Sequence, residues 1–258
     1  MDAMPARKHE GQPASHLHMF RLEITGKNME THNLLNAESA RMAAFRLLSD
    51  CYYLPDAGIS EKLELLEFNL SKVCKPALSF IQKMRTAIEA GENVEPLKID
   101  FSKLFVGPFT LLAAPYGSVY LDDERKVMGD STLDVKNRYR QAGLDTAKNF
   151  KDAPDHISAE LEFMYYLIFK EIEAFADSDP ASAIGFIQKQ KFFLEDHLTA
   201  WVPQFADSII NYAENPFYPN LARATITFLK ENYKIVCAHL DSERSNSEKP
   251  VDINSLRV

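Results

Sequence analysis

Apolar residues recur at spacings of three and four from Ala40 almost to the C-terminus, and this period limits what the chain can fold into more than any other feature. Ala40, Ala44, Leu47 and Cys51 share one face of a helix that stops before Pro55 and Gly58. Leu63, Leu66, Leu70 and Val73 form a second stripe, and after Pro76 a third follows in Ala77, Ile81, Met84 and Ile88, closed by Gly91. A stripe of this kind is stable only when another helix covers it, so successive stripes joined by short loops predict helix packed on helix.

The same period continues further along the chain. A fourth helix is expected to include Ile99 to Phe105, broken by Gly107-Pro108 and by Ala114-Pro115-Tyr116-Gly117. Ser118-Val119-Tyr120-Leu121 is read as extended chain or turn, too short and isolated to imply a sheet. Ser131-Thr132-Leu133-Asp134 has the residue types of a helix N-terminus, and that helix should run to about Ala142 and stop at Gly143. The polar run Asp145 to Asp152 reads as a connector. Beyond Pro154, Leu161, Met164, Ile168, Ile172 and Phe175 mark a core helix. Asp179-Pro180 opens another with Ile187, Leu194, Leu198 and Trp201 on one face. Pro203 is expected to reset the chain before a shorter helix from Gln204 to Ala213. The last helix carries Leu221, Ala224, Phe228, Ile235 and Val236.

The expected fold is therefore all-α, a helical bundle of two subdomains joined by a hinge. The expected divisions are a poorly ordered tail over 1–36, a helical subdomain over 37–144, a hinge over 145–157, a second helical subdomain over 158–240 and a polar tail over 241–258. A hinged helical pair is expected as a monomer, with exchange of helices between protomers as the route to a dimer.

Charge and composition narrow the function. Acidic residues outnumber basic ones, 37 to 29, and the net charge of -8 argues against a nucleic-acid partner. Cys51, Cys74 and Cys237 are odd in number and far apart, which suits a reducing compartment and no thiolate metal site. No run approaches the roughly 18 apolar residues of a membrane span, and no secretory pattern opens the chain, so a cytoplasmic protein without stable membrane insertion is expected.

Phosphate loops, dinucleotide fingerprints, nucleophile elbows and zinc helices are all missing from the sequence. Asp155-His156 is the strongest polar candidate, and its residue types suit a proton-transfer pair, a metal pair or the capped start of a helix. A metal phosphohydrolase is disfavoured because further His and Asp ligands are not in place; His197 is read on the polar side of its helix beside Asp196. His9, His16 and His18 could take up metal only adventitiously, and no metal site is expected. Phe105, Phe109, Tyr116, Tyr120 and Tyr139 could line an apolar groove for a peptide helix, or could equally be core.

Several stretches, in order, resemble the TorD/DmsD/NarJ family of redox-enzyme maturation chaperones, most closely its TorD/DmsD branch. They are Leu104-Phe105-Val106-Gly107-Pro108, Ala114 through Leu121, Gly129 through Val135 with Tyr139 and Gly143-Leu144, and Pro154-Asp155-His156-Ile157 with Glu160 through Met164. His197-Leu198, Trp201-Val202-Pro203, Phe205, Pro216-Phe217-Tyr218 and Leu221-Ala222 extend the likeness, which spans roughly residues 38 to 240. In one place the chain departs from the family: Ala153 stands where an acidic residue is usual before the Pro-x-Asp-His motif.

The resemblance implies a chaperone and not an enzyme. Its partner would be the precursor of a molybdopterin-dependent oxidoreductase, held through a twin-arginine signal peptide until cofactor insertion precedes export. Asp155 and His156 are the carried-over binding positions, and Pro154, Tyr116, Tyr120, Phe105 and Glu160 complete the expected client site. In this picture Asp155 attracts the guanidinium groups and the tyrosines take the apolar part. No cofactor is expected beyond the weak guanine nucleotide binding that the family likeness raises. The alternatives are a nucleotide-binding or hydrolysing all-α protein, or a helical interaction module of another kind.

Overall fold

A computed structural model describes residues 14–91, 94–107, 111–122, 126–144 and 153–247, with side chains described between 32 and 242. The expected connector 145–152, Phe109 and the three N-terminal histidine side chains lie outside the described residues. Two units are distinguished, Met1–Ala37 and Glu38–Val258. Helix α1, Ala14–Cys51, begins in the first and runs on into the second, so the helix expected from Ala40 starts much earlier.

Glu38–Val258 is all-α, with no strand among its described residues. Helices α2 (Ile59–Val73) and α3 (Leu78–Glu89) follow, then α4 (Glu95–Phe101), which runs directly into a π turn over Ser102–Val106. Gly107 ends that turn at φ 53°, a left-handed conformation that favours glycine. Next come α5 (Ser118–Leu121), α6 (Asp130–Gln141), α7 (Ile157–Ala176) and α8 (Pro180–Phe193). A second π turn, Leu194–Leu198, leads into α9 (Thr199–Tyr212), and α10 (Phe217–Ser247) is the last helix among the described residues, extending past the point where a polar tail was expected to begin.

Three sequence expectations fail here for identifiable reasons. Ser118–Leu121 is a helical turn because Asp155, distant in sequence, supplies an acceptor for the Ser118 amide. The N-terminus of α6 is not capped by its own hydroxyls. Asp122 accepts from both the amide and the hydroxyl of Ser131, at 3.3 and 3.0 Å, and comes so close that a Cβ on Gly129 would stand 1.9 Å from its Oδ2. Pro203 lies within α9, just past the first turn, while the change of helix comes earlier, in the π turn where the Thr199 hydroxyl bonds the Leu194 carbonyl at 2.7 Å. At α8 the expectation agrees: Pro180 is in the first turn, and the Asp179 carboxylate accepts from the Ser182 amide at 3.1 Å.

The core is continuous from the first half of the sequence to the second. Helix α7 is buried along most of its length and packs extensively on α8. Helix α10 packs against α3 as well as α8 and α9. Phe45 of α1 meets Phe228 of α10 edge-on at 4.7 Å, and the Tyr52 hydroxyl pairs with that of Thr225 at 3.0 Å. Phe228 is fully buried, so Phe228→Ala should lower stability by about 3–5 kcal/mol through lost burial and a residual cavity. Urea unfolding monitored by circular dichroism measures the loss, and a drop below about 1 kcal/mol would mean that this contact does not join the two ends of the bundle.

Candidate functional site

The loop before α5 and the segment before α7 are laced together by backbone. Ile157 donates to the Pro115 carbonyl and Gly117 to the Asp155 carbonyl, both at 2.9 Å, which makes an antiparallel bridge between Tyr116 and His156. Asp155 adds its side chain: Oδ2 accepts from the Ser118 amide at 2.8 Å at the start of α5. The Pro154 carbonyl accepts from the Tyr139 hydroxyl of α6 at 2.8 Å. His156 caps α7, its Nδ1 accepting from the Ser158 amide at 3.2 Å, which leaves the ring proton on Nε2. The same Nδ1 lies 2.6 Å from the Ser158 hydroxyl. The imidazole stacks beside Tyr53 and meets Tyr116 edge-on at 5.3 Å.

Glu160 follows on the next turn of α7, fully buried, and its Oε2 accepts from the Trp201 indole at 2.9 Å. Burial, reinforced by the charge of Asp155, pushes the Glu160 carboxyl well above the usual carboxylate range, against the opposing effect of the Trp201 hydrogen bond. Gly117 makes room for this contact, since a Cβ there would stand 3.1 Å from the indole nitrogen and 3.3 Å from Glu160 Oε1. Trp201 stacks on Tyr120 at 5.6 Å between ring centres.

The expected site residues thus separate into two groups. Pro154, Asp155, His156, Tyr116, Tyr120 and Glu160 are brought together around one clamp, but Asp155 and Glu160 are fully buried. Phe105 sits in the aromatic core against Tyr52, Phe101, Phe205 and Tyr218. Tyr139 is also buried, against Phe163. His197 is not on a polar face. It is 2% exposed, stacks on Phe193, and its Nε2 lies 2.8 Å from Asp134 of α6, with Arg138 bridging Asp134 and Asp196. Burial lowers its pKa and keeps it neutral.

On the outer side of the clamp a cleft of about 710 Å³ is open to solvent. One wall is apolar and comes from the loop and α5: Leu111, Leu112, Ala114, Val119 and Tyr120, with Val127. The opposite wall is the outer face of α9, with Asp207, Ser208, Asn211 and Tyr212. Leu112, Val127 and Tyr212 are 39%, 42% and 55% exposed, so this apolar surface meets water. Of the expected residues that are described, only Tyr120 lines it. The α9 residues escape sequence analysis because, on the helix expected from Gln204 to Ala213, Asp207 and Asn211 are one turn apart and opposite the core positions Phe205, Ala206 and Ile209, an ordinary solvent face.

The state of Glu160 has a measurable consequence. A carboxyl whose pKa is raised on folding binds more protons folded than unfolded, so its contribution to stability declines as pH rises above the usual carboxylate range. Glu160→Gln keeps an acceptor for Trp201 and does not titrate. Its stability relative to the wild type should rise from pH 5 to pH 8 in urea unfolding, and a constant difference would show that Glu160 is ionised in the fold.

The profile of the nitrate reductase delta subunit family matches residues 71–207, a stretch that contains the clamp and reaches Asp207. The chaperone TorD of Vibrio parahaemolyticus is 24% identical over 213 residues, 82% of this chain and 86% of its own. The Tat proofreading chaperone DmsD of Salmonella typhi is 32% identical over 135 residues, 51% of this chain and 59% of its own. TorD of Aliivibrio fischeri is 25% identical over 159 residues, 61% of this chain and 72% of its own. Since the matched stretch takes up more than half of its length, the chain belongs to the nitrate reductase delta subunit family, the TorD/DmsD/NarJ group of redox-enzyme maturation chaperones.

Proposed function

We propose that this protein is a cytoplasmic maturation chaperone, not an enzyme, that holds the precursor of a molybdopterin-dependent oxidoreductase by its twin-arginine signal peptide, and that the peptide lies in the cleft between the α5 loop and α9. Relatives named as TorD chaperones and Tat proofreading chaperones support the client class. The observation that carries the site is the cleft itself: a solvent-exposed apolar wall facing a polar helix whose one lining carboxylate, Asp207, is exposed. A signal peptide combines an apolar segment with two guanidinium groups, and such a peptide needs both kinds of surface. No helix among the described residues is long and apolar enough to cross a membrane.

In this reading Tyr120 touches the client, while Asp155, His156, Pro154 and Glu160 hold the apolar wall in place. Tyr116 packs on His156 at the edge of the clamp, and Phe105 packs in the core on Phe205, which meets Tyr120 edge-on. Fully buried Asp155 reaches an incoming guanidinium only if the clamp opens, which would break its bonds to Gly117 and Ser118.

Fluorescence titration of a labelled twin-arginine signal peptide tests the assignment. Leu112→Asp and Tyr212→Ala should each weaken binding by about tenfold at unchanged folding, as expected for anchors of an apolar contact. Asp207→Lys should weaken it roughly fivefold and more at low salt, the size of an exposed charge effect. Asp155→Asn should lower thermal stability together with affinity. If instead Asp155→Asn abolishes binding at unchanged melting temperature while the three cleft variants bind like wild type, the client lies at the clamp and not in the cleft.

A further inference from the structure

A second buried carboxylate cluster lies away from the cleft and is not used by the client reading. Arg41 of α1 is 1% exposed and shares its guanidinium among three helices. Its Nε donates to Oε2 of Glu38 at 2.7 Å, Nη2 to the same oxygen and to Oε2 of Glu171 on α7 at 3.0 Å, and Nη1 to Gln190 on α8 at 2.8 Å. Gln190 in turn donates to Oε2 of Glu171 at 2.6 Å. Each of these bonds to a carboxylate uses the Oε2 oxygen. Oε1 of Glu171 is buried with no hydrogen-bond partner, and Oε1 of Glu38 lies 3.9 Å from Nε2 of His239 on α10.

Two carboxylates balanced by one guanidinium leave an excess negative charge where water is excluded, which is costly unless another positive charge joins them. Burial, with the charge of Glu38 adding to it, moves the Glu171 carboxyl up to about 7. The gap between Glu38 and His239 is too long for a hydrogen bond, yet close to what two metal–ligand bonds of about 2.0–2.2 Å to a shared ion would span. One donor atom from each of Glu38, Glu171 and His239 lies within 4.8 Å of the other two. The His239 side chain is 25% exposed, which gives an ion a way in from solvent.

We propose that Glu38, Glu171 and His239 bind a divalent transition-metal ion, with Arg41 outside the coordination sphere orienting both carboxylates through their other oxygens. Two carboxylate oxygens and an imidazole are a donor set for Zn²⁺ or Mn²⁺, and water can complete the sphere. The ion would tie α1, α7 and α10 together, and Arg41 would fill the supporting role that outer hydrogen bonds play at metal sites.

The test uses the full chain with His9, His16 and His18 replaced by Ala, so that the N-terminal histidines cannot supply the signal. After treatment with a chelator, calorimetric titration with Zn²⁺ should show one saturable equivalent, and the melting temperature should rise with added Zn²⁺. His239→Ala and Glu171→Gln should each weaken that binding by at least about tenfold, and the visible spectrum of the Co²⁺ form should lose intensity in both. His239 is partly exposed, so its variant is expected to fold even if Glu171→Gln does not. Absence of a saturable equivalent, or binding unchanged by His239→Ala, would overturn the site and leave a proton on Glu171 as the balancing charge.

Discussion

Asp155 holds two consecutive amides at once, Gly117 through its carbonyl and Ser118 through its carboxylate, and the placement of α5 and the loop before it depends on this clamp. Without it α5 would be a four-residue segment with little reason to be helical, since one turn fixes more backbone than its own hydrogen bonds repay. Because it holds, the loop from Leu111 to Gly117 is fixed against the start of α7, and Tyr120 is delivered onto Trp201. The apolar wall of the cleft therefore depends on a buried carboxylate that does not itself line the cleft. His156 completes the joint by starting α7, so within three residues the Pro154-Asp155-His156 motif bonds to α6 and α5 and begins α7.

The buried acids are handled in three ways, set by which donors lie near. Asp155 has a backbone amide aimed at it, Glu160 has one indole and a pKa that burial raises, and Glu171 has a guanidinium that it must share with Glu38. A carboxylate removed from water is tolerated only when donors or a cation replace the solvent. Ala153 fits this pattern. It is 7% exposed, and an acidic side chain there would add another buried carboxyl two residues from Asp155.

The helical class could be read from periodicity because the stripes of α2, α3 and α7 lie on single faces, and local spacing is all that such a pattern requires. What could not be read depended on distant partners. Asp155 makes α5 a helix from 37 residues away, and Asp122 caps α6 from outside that helix. His197 looked polar beside Asp196, but the π turn redirects it toward Phe193 and Asp134. At the candidate site, residue chemistry marked out the clamp but not the cleft. The cleft's second wall comes from α9, whose outer face is made of Asp207, Ser208, Asn211 and Tyr212, ordinary surface residues until the loop is placed opposite them.

On the proposed reading, this division suits a protein that recognises an extended, variable partner. A precise buried constellation can select one small group, but a peptide with a long apolar segment is held by area, and area of that kind must be exposed before the client arrives. Exposed apolar surface invites misfolding and aggregation unless its backbone is rigid, so it helps that the wall is anchored at Pro115, Gly117 and Ser118 to a fully buried segment. In the proposed reading the motif and the cleft do different work: the motif anchors the wall, while the few side chains that reach solvent would set which peptide it prefers. Changes of client between relatives would be expected at positions such as Leu112, Val127, Asp207 and Tyr212, whereas changes at Asp155 would alter the scaffold that presents them.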